Sequence, residues 1–171
     1  RLLKNITGMW LLEQCLARWR DDGKEYSYEE VTKMASGCNP SDHLIDPDDD
    51  CFASPTDMPE AIAEYCTRRG WNPPVDDAAC IRLIYDSLAA KYADVFRKLE
   101  SIAGHKLDTL HIIGGGSQNE LLNQMTADAC KVKVVAGPAE GTALGNAMIQ
   151  SGLSRTQILD SIKTEIYIPN E

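Results

Sequence analysis

Leu110-His111-Ile112-Ile113-Gly114-Gly115-Gly116-Ser117-Gln118-Asn119 is the stretch whose reading decides the fold. An apolar run leads straight into three glycines, and a helical pattern follows from Glu120 to Ala129. In that order the residues describe a strand, a tight loop and an amphipathic helix. Glycine has no Cβ, so its backbone reaches positive φ and can approach a flat or anionic ligand closely. The helix N-terminus behind the loop adds partial positive charge. A nucleotide suits that arrangement. A purely structural turn suits it too, because glycine clusters mark loops in general. The spacing is neither Gly-x-Gly-x-x-Gly nor a Walker loop with its lysine, which excludes the two commonest phosphate cradles.

Downstream the alternation continues. A strand is expected over Lys133–Val135, a turn at Gly137-Pro138 and a helix over Ala139–Ser151. Ser154 with Gln157 resembles a capping box for a last short helix reaching about Ile162. The class is therefore α/β. Two strands leave an apolar face and an edge uncovered and are marginal in water, so the sheet is expected to be incomplete here, with further strands upstream of Arg1.

The first part of the chain reads as helical. Apolar residues from Leu2 to Trp19 recur at three-to-four spacing and predict one helix, with Trp10 and Trp19 on its core face and Gly23 as its stop. Ser27 and Glu30 form a capping box for a helix from Tyr28 to about Ala35, stopped by Gly37. Asn39 to Pro55 has no period and carries Asp46 and Asp48-Asp49-Asp50, which predicts a long exposed loop. It lacks the glycine and terminal glutamate of a calcium-binding EF-hand loop. Asp57 and Pro59 open a helix over about Met58–Arg69, and the longest helix is expected from Asp77 to about Ile102, stopped by Gly104. A helical part thus spans about 1–104 and an α/β part about 105–171.

With 171 residues the chain can build one core or two subdomains, and its net charge of -9 disfavours nucleic acid and anionic membrane as partners. Small molecules or other proteins are the expected partners. No apolar run approaches the roughly 18 residues of a membrane helix and no signal-like segment opens the chain, so a cytoplasmic location is expected. The start at Arg1, without Met and directly in a helical pattern, predicts a fragment of something longer. Cys15, Cys38, Cys51, Cys66, Cys80 and Cys130 contain no Cys-x-x-Cys pair and have no His at ligand spacing, which argues against a metal site. Reduced, packed thiols are expected, with Cys66 and Cys80 as the one pair that a short Gly/Pro-rich turn could bring together. His43, His105 and His111 are scattered, and structural roles are expected for them.

Three motifs in order give a more specific reading. They are Arg1-Leu2-Leu3-Lys4-Asn5-Ile6-Thr7-Gly8-Met9-Trp10-Leu11-Leu12, the Gly-Gly-Gly-Ser-Gln-Asn run with Leu121-Leu122-Asn123-Gln124, and Ala136-Gly137-Pro138-x-Glu140-x-Thr142-Ala143-Leu144-Gly145-Asn146-Ala147. Together they resemble the carboxy-terminal domain of FGGY carbohydrate kinases, with an opening closest to that of the rhamnulose kinases.

The resemblance covers nearly the whole chain. It implies an actin-like, ribonuclease-H-like ATPase domain with a helical insertion, one of two domains that close around ATP, magnesium and a sugar. It implies that Gly115 contacts ATP, that Gly114 and Gly116 let the backbone approach, and that Ser117, Gln118 and Asn119 offer polar groups. Asn5 corresponds to a position on the sugar side. Glu13 stands where the family commonly has Gln on the nucleotide side, and a carboxylate cannot donate as an amide does.

The family's catalytic aspartate lies upstream of the opening motif, so no catalytic base is expected within this chain. No metal-ligating residue is assigned. Around the last motif, Glu140 and Thr142 are expected to cap the helix, and Gly141, Gly145 and Asn146 to permit its close packing. Two other classes fit the same residues: an actin-fold ATP-binding module without kinase activity, and a non-catalytic domain that forms homo-oligomers. Kinases for xylulose, glycerol or gluconate share the later motifs.

Overall fold

The computed structural model describes residues 4–152, 156–157 and 162–170. The expected last helix over Ser154–Ile162 falls largely outside them. The chain forms two compact units, Arg1–Val95 and Phe96–Glu171.

In the first unit α1 runs over Trp10–Asp21 and buries Leu11, Leu12, Cys15, Leu16 and Trp19. It does not begin at Leu2. Residues 4–7 are irregular, and Gly8 takes the left-handed φ of +61°, which interrupts a helix. Lys4 and Thr7 turn their side chains to Asp48 instead of continuing a helical face. Trp10, expected in the core, is 44% exposed, whereas Trp19 is buried edge-on against Tyr26.

Helix α2, Tyr28–Gly37, has the expected reciprocal cap. The Glu30 amide donates to the Ser27 hydroxyl, and the Ser27 amide donates to the Glu30 carboxylate.

The acidic segment departs from the expected exposed loop. Ile45 and Phe52 are buried, and Asp50–Phe52 forms a 3-10 turn capped by Asp49. Phe52 packs on Tyr65 with ring centroids 5.1 Å apart. Two apolar anchors therefore pin a stretch that has no period, and Asp46, Asp48 and Asp49 find partners within the protein.

Helix α3, Met58–Arg68, starts at Asp57, whose carboxylate accepts from the Glu60 amide. Helix α4, Asp77–Ala103, is the longest, and Gly104 follows it at φ +72°. Cys15, Cys66 and Cys80 are buried and all six cysteines are free, so Cys66 and Cys80 do not pair. His43 stacks on Trp71 with centroids 4.6 Å apart.

The second unit takes in the end of α4, then β1 (Thr109–Ile112), α5 (Glu120–Cys130), β2 (Lys133–Ala136), α6 (Gly141–Ser151) and β3 (Glu165–Tyr167). The sheet order is β1-β2-β3. Strand β1 runs parallel to β2, with Thr109 opposite Lys133 and Ile112 opposite Ala136. Strand β3 pairs antiparallel, with Val134 opposite Tyr167. The parallel pair connected through α5 is the expected α/β unit. The third strand was not expected. It has three residues, and Ile166 is 62% exposed, so it carries almost no burial pattern.

Phe96, Leu122, Ala127, Val134, Ala136 and Met148 are buried apolar residues of the second unit among those described. Among the described residues, no helix is long and apolar enough to cross a membrane.

Candidate functional site

The glycine turn begins where β1 ends. Gly114 has φ +85°, a conformation that favours glycine, and its amide donates to the Pro138 carbonyl at 3.0 Å. The Gly137 amide donates to the Ile112 carbonyl at 2.8 Å, so the ends of β1 and β2 are tied together by two backbone bonds. Gly137 has φ +111°, and a Cβ there would meet the Lys163 carbonyl at 2.7 Å. Only glycine fits that position without displacement of backbone.

Gly115–Gln118 form a 3-10 turn in which the amide and the hydroxyl of Ser117 both donate to the Gly114 carbonyl, at 3.0 and 2.7 Å. Asn119 caps α5, its Oδ1 accepting from the Leu122 amide. Asn123 is buried one turn later, and its Nδ2 donates to the Ser117 carbonyl at 2.8 Å.

The side chains of Ser117 and Asn119 are thus spent on building the turn, whereas Gly115, Gly116 and Gln118 are exposed. A Cβ on Gly115 or Gly116 would meet nothing within 4 Å among the described residues. A cavity of about 530 Å³ adjoins the turn, lined by Ser117, Gln118, Glu120, Pro138 and Lys163 among others. A smaller one of about 210 Å³ lies between Gly114 and Gly141. The cavity carries one lysine, Lys163, and two carboxylates, Glu120 and Glu165, and the space above Gly115 and Gly116 is open among the described residues.

The last motif behaves differently from expectation. Glu140 precedes α6 without a side-chain cap bond. A Cβ on Gly145 would meet nothing within 4 Å among the described residues and Asn146 is exposed, so neither is closely packed against them; Gly141 has only ordinary contacts, to Pro138 and Ile113. The side chain of Thr142 lies outside the described structure.

Asn5 and Glu13 belong to the first unit. Asn5 is exposed in the irregular segment before Gly8. Asp48 holds that segment, with its Oδ1 accepting from the Thr7 amide at 2.9 Å and the Thr7 hydroxyl at 3.1 Å. Glu13 is exposed on α1 and accepts a hydrogen bond from the Tyr28 hydroxyl. That bond to a carboxylate, with some burial, pushes the Tyr28 phenol up to about 12. No cluster of three or more His, Cys, Asp or Glu able to hold a metal ion occurs among the described residues.

A model of the FGGY family of carbohydrate kinases, C-terminal domain, matches residues 1–152. This chain belongs to that family. A rhamnulokinase of Bacteroides thetaiotaomicron is 51% identical to it over 151 residues, which cover 88% of this chain and 30% of the relative. The chain therefore spans under a third of the length of the curated relative it matches.

In this FGGY domain the turn residues Gly114 to Asn119 come together as one constellation in the second unit, and Asn5 and Glu13 lie in the first. Three residues that shape these places had no role assigned from sequence. Asn123 carried a signal, as a polar residue next to Leu122 on the inward face of α5. Gly137 was legible only as part of a turn. Asp48 was hidden in an acidic run that reads as solvated.

Proposed function

We propose that this FGGY domain is the nucleotide half of an ATP-dependent carbohydrate kinase whose acceptor is L-rhamnulose and whose product is L-rhamnulose 1-phosphate. Its family membership and its identity to a protein named rhamnulokinase support the reaction class and the acceptor. The observation that carries the nucleotide assignment is the open space over Gly115 and Gly116, at a turn braced from below by Ser117, Asn119 and Asn123.

In this reading Gly114, Gly115 and Gly116 let the backbone approach ATP, and Gln118 offers its amide. Ser117 and Asn119 keep the turn in shape. Rigid backbone donors cost no reorganisation when charge spreads over the transferred phosphoryl group. Magnesium, when bound with ATP, neutralises part of that charge. Asn5 faces the sugar side. Glu13 replaces an amide by a carboxylate, which repels phosphate and is engaged by Tyr28, so it serves the nucleotide only away from the phosphates.

The proton acceptor for the sugar hydroxyl, and most sugar contacts, belong to a part of the kinase outside residues 1–171. Cleft closure over both substrates excludes water as a competing acceptor. The fragment alone is inactive in this account. The test is an assay of the full-length kinase with ATP and magnesium against a panel of ketoses and polyols. Turnover with the highest kcat/KM on L-rhamnulose is expected, and preference for xylulose, glycerol or gluconate would replace the acceptor.

A further inference from the structure

The acidic run from Asp46 to Asp50 looks like solvated loop, yet one of its carboxylates, that of Asp48, meets Thr7, Lys4 and Lys91. Asp48 Oδ1 accepts from the Thr7 amide and the Thr7 hydroxyl. Its Oδ2 is buried without a well-directed hydrogen bond, and is balanced by two ammonium groups, Lys4 Nζ and Lys91 Nζ, each at 3.1 Å. Lys91 also reaches Asp46 at 2.6 Å, and Asp46 in turn accepts from the Asp48 amide. The carboxylate thereby ties α4, the acidic loop and the irregular segment together. Lys4 and Thr7 flank Asn5 on either side.

A segment without secondary structure has no ladder of its own to fix it, so its geometry depends on such side-chain bonds. Two of them, to Thr7, fix backbone and side chain at one end. The ion pair to Lys4 fixes the other. The Asp48 side chain is only 19% exposed and Lys91 only 17%, so that pair is less screened than an open surface pair, whereas Lys4 is 55% exposed and the two Thr7 bonds hold the segment more firmly than its ion pair does.

We propose that Asp48 is the positioning residue for Asn5, holding residues 4–7 in the shape that presents Asn5 to the sugar. This rests on the reading of Asn5 as a sugar-side residue. Asp48 touches no substrate in this account. It acts on acceptor binding by fixing the backbone on both sides of Asn5, and nucleotide binding does not depend on it. A displacement of a contacting group by an ångström is enough to cost one to two powers of ten in productive binding or rate.

The experiment compares Asp48→Asn, Asn5→Ala and Asp57→Ala in the full-length kinase, with L-rhamnulose and ATP as varied substrates. Asp57→Ala removes a helix cap elsewhere in the unit and controls for simple loss of stability. The expected result is a rise of roughly tenfold in the L-rhamnulose KM for both Asp48→Asn and Asn5→Ala, and an ATP KM changed by less than about twofold. Asp57→Ala should lower the melting temperature without that split.

An unchanged sugar KM in Asp48→Asn overturns the proposal. If Asn5→Ala raises the sugar KM in the same experiment, the sugar-side reading survives; if it does not, that reading falls and the proposal with it. Should Asp48→Asn not fold, Thr7→Val removes the hydroxyl donor to Asp48 at small structural cost and is judged by the same split. An equal rise in both KM values would mark a general structural role and would also overturn the proposal.

Discussion

Asn123 Nδ2 donates to the Ser117 carbonyl at 2.8 Å from a position 1% exposed, while its own Oδ1 has no hydrogen-bond partner among the described residues. A buried polar group left half satisfied is costly, so this asparagine has a structural reason to be there. It fastens the floor of the glycine turn to α5. Replacing it by Leu leaves the Ser117 carbonyl without its donor. Asn123→Leu should destabilise the domain by about 1–3 kcal/mol and raise the ATP KM severalfold with little change in the sugar KM. Thermal unfolding and steady-state kinetics on the full-length kinase check both effects.

The glycines of the turn and of the following loop should separate function from stability. Among the described residues nothing lies within 4 Å of a Cβ on Gly115, so Gly115→Val should fold nearly as well as the parent, yet raise the ATP KM or abolish turnover. Gly137→Ala places a Cβ at 2.7 Å from the Lys163 carbonyl in a backbone with φ +111°. It should cost about 1–3 kcal/mol in stability by strain. Unfolding curves and ATP kinetics on both variants test the contrast, and unchanged ATP kinetics in Gly115→Val would remove the turn from the site.

Acid should loosen the first unit through Asp48. Burial pushes this carboxyl up, but the Thr7 amide and the ammonium groups of Lys4 and Lys91 outweigh it and hold it at about 2. A folded value below the ordinary one of about 3.9 means that the folded state binds fewer protons, so the stabilisation is complete above pH ~4 and is lost as pH falls towards ~2. Melting temperatures across that window should fall more steeply for the parent than for Asp48→Asn. Parallel curves would show that the carboxylate contributes no such linkage.

Much of this fold was legible because local chemistry and tertiary structure agree. The Ser27–Glu30 capping box, the Asp57 cap and the strand–glycine–helix run from Thr109 onward all lie within a residue or two of expectation. The failures share a physical cause, which is that distant groups decided the outcome. Periodicity carried the first helix back to Leu2, but the contacts of Lys4 and Thr7 with Asp48, 44 and 41 residues away, draw the segment elsewhere. Strand β3 forms because β2 offers an edge, and nothing in Glu165–Tyr167 alone announces it. At the site, the glycines were visible as glycines, whereas the spending of Ser117 and Asn119 on the turn itself depends on hydrogen-bond directions that spacing does not encode.

Strand β1 has β2 on one side only among the described residues, and its residues are half-buried to exposed. An open strand edge invites pairing, so in the full-length kinase this edge should be covered by a strand from outside residues 1–171. Hydrogen exchange at the β1 amides that do not face β2 should then be slower in the full-length kinase than in the isolated chain. Equal rates in the two would mean that the edge stays open.

The central claim is that residues 1–171 carry the nucleotide side of a sugar kinase and not its catalytic base. Phosphoryl transfer needs acceptor, carboxylate, metal and closed cleft assembled together, and this chain has part of that set. The most direct measurement is sugar phosphate formed by the isolated chain with ATP, magnesium and L-rhamnulose, run beside the full-length kinase. The account predicts product from the full-length kinase and none above background from the isolated chain. Product from residues 1–171 at a rate near that of the full-length kinase would contradict it, because the base would then lie within this chain.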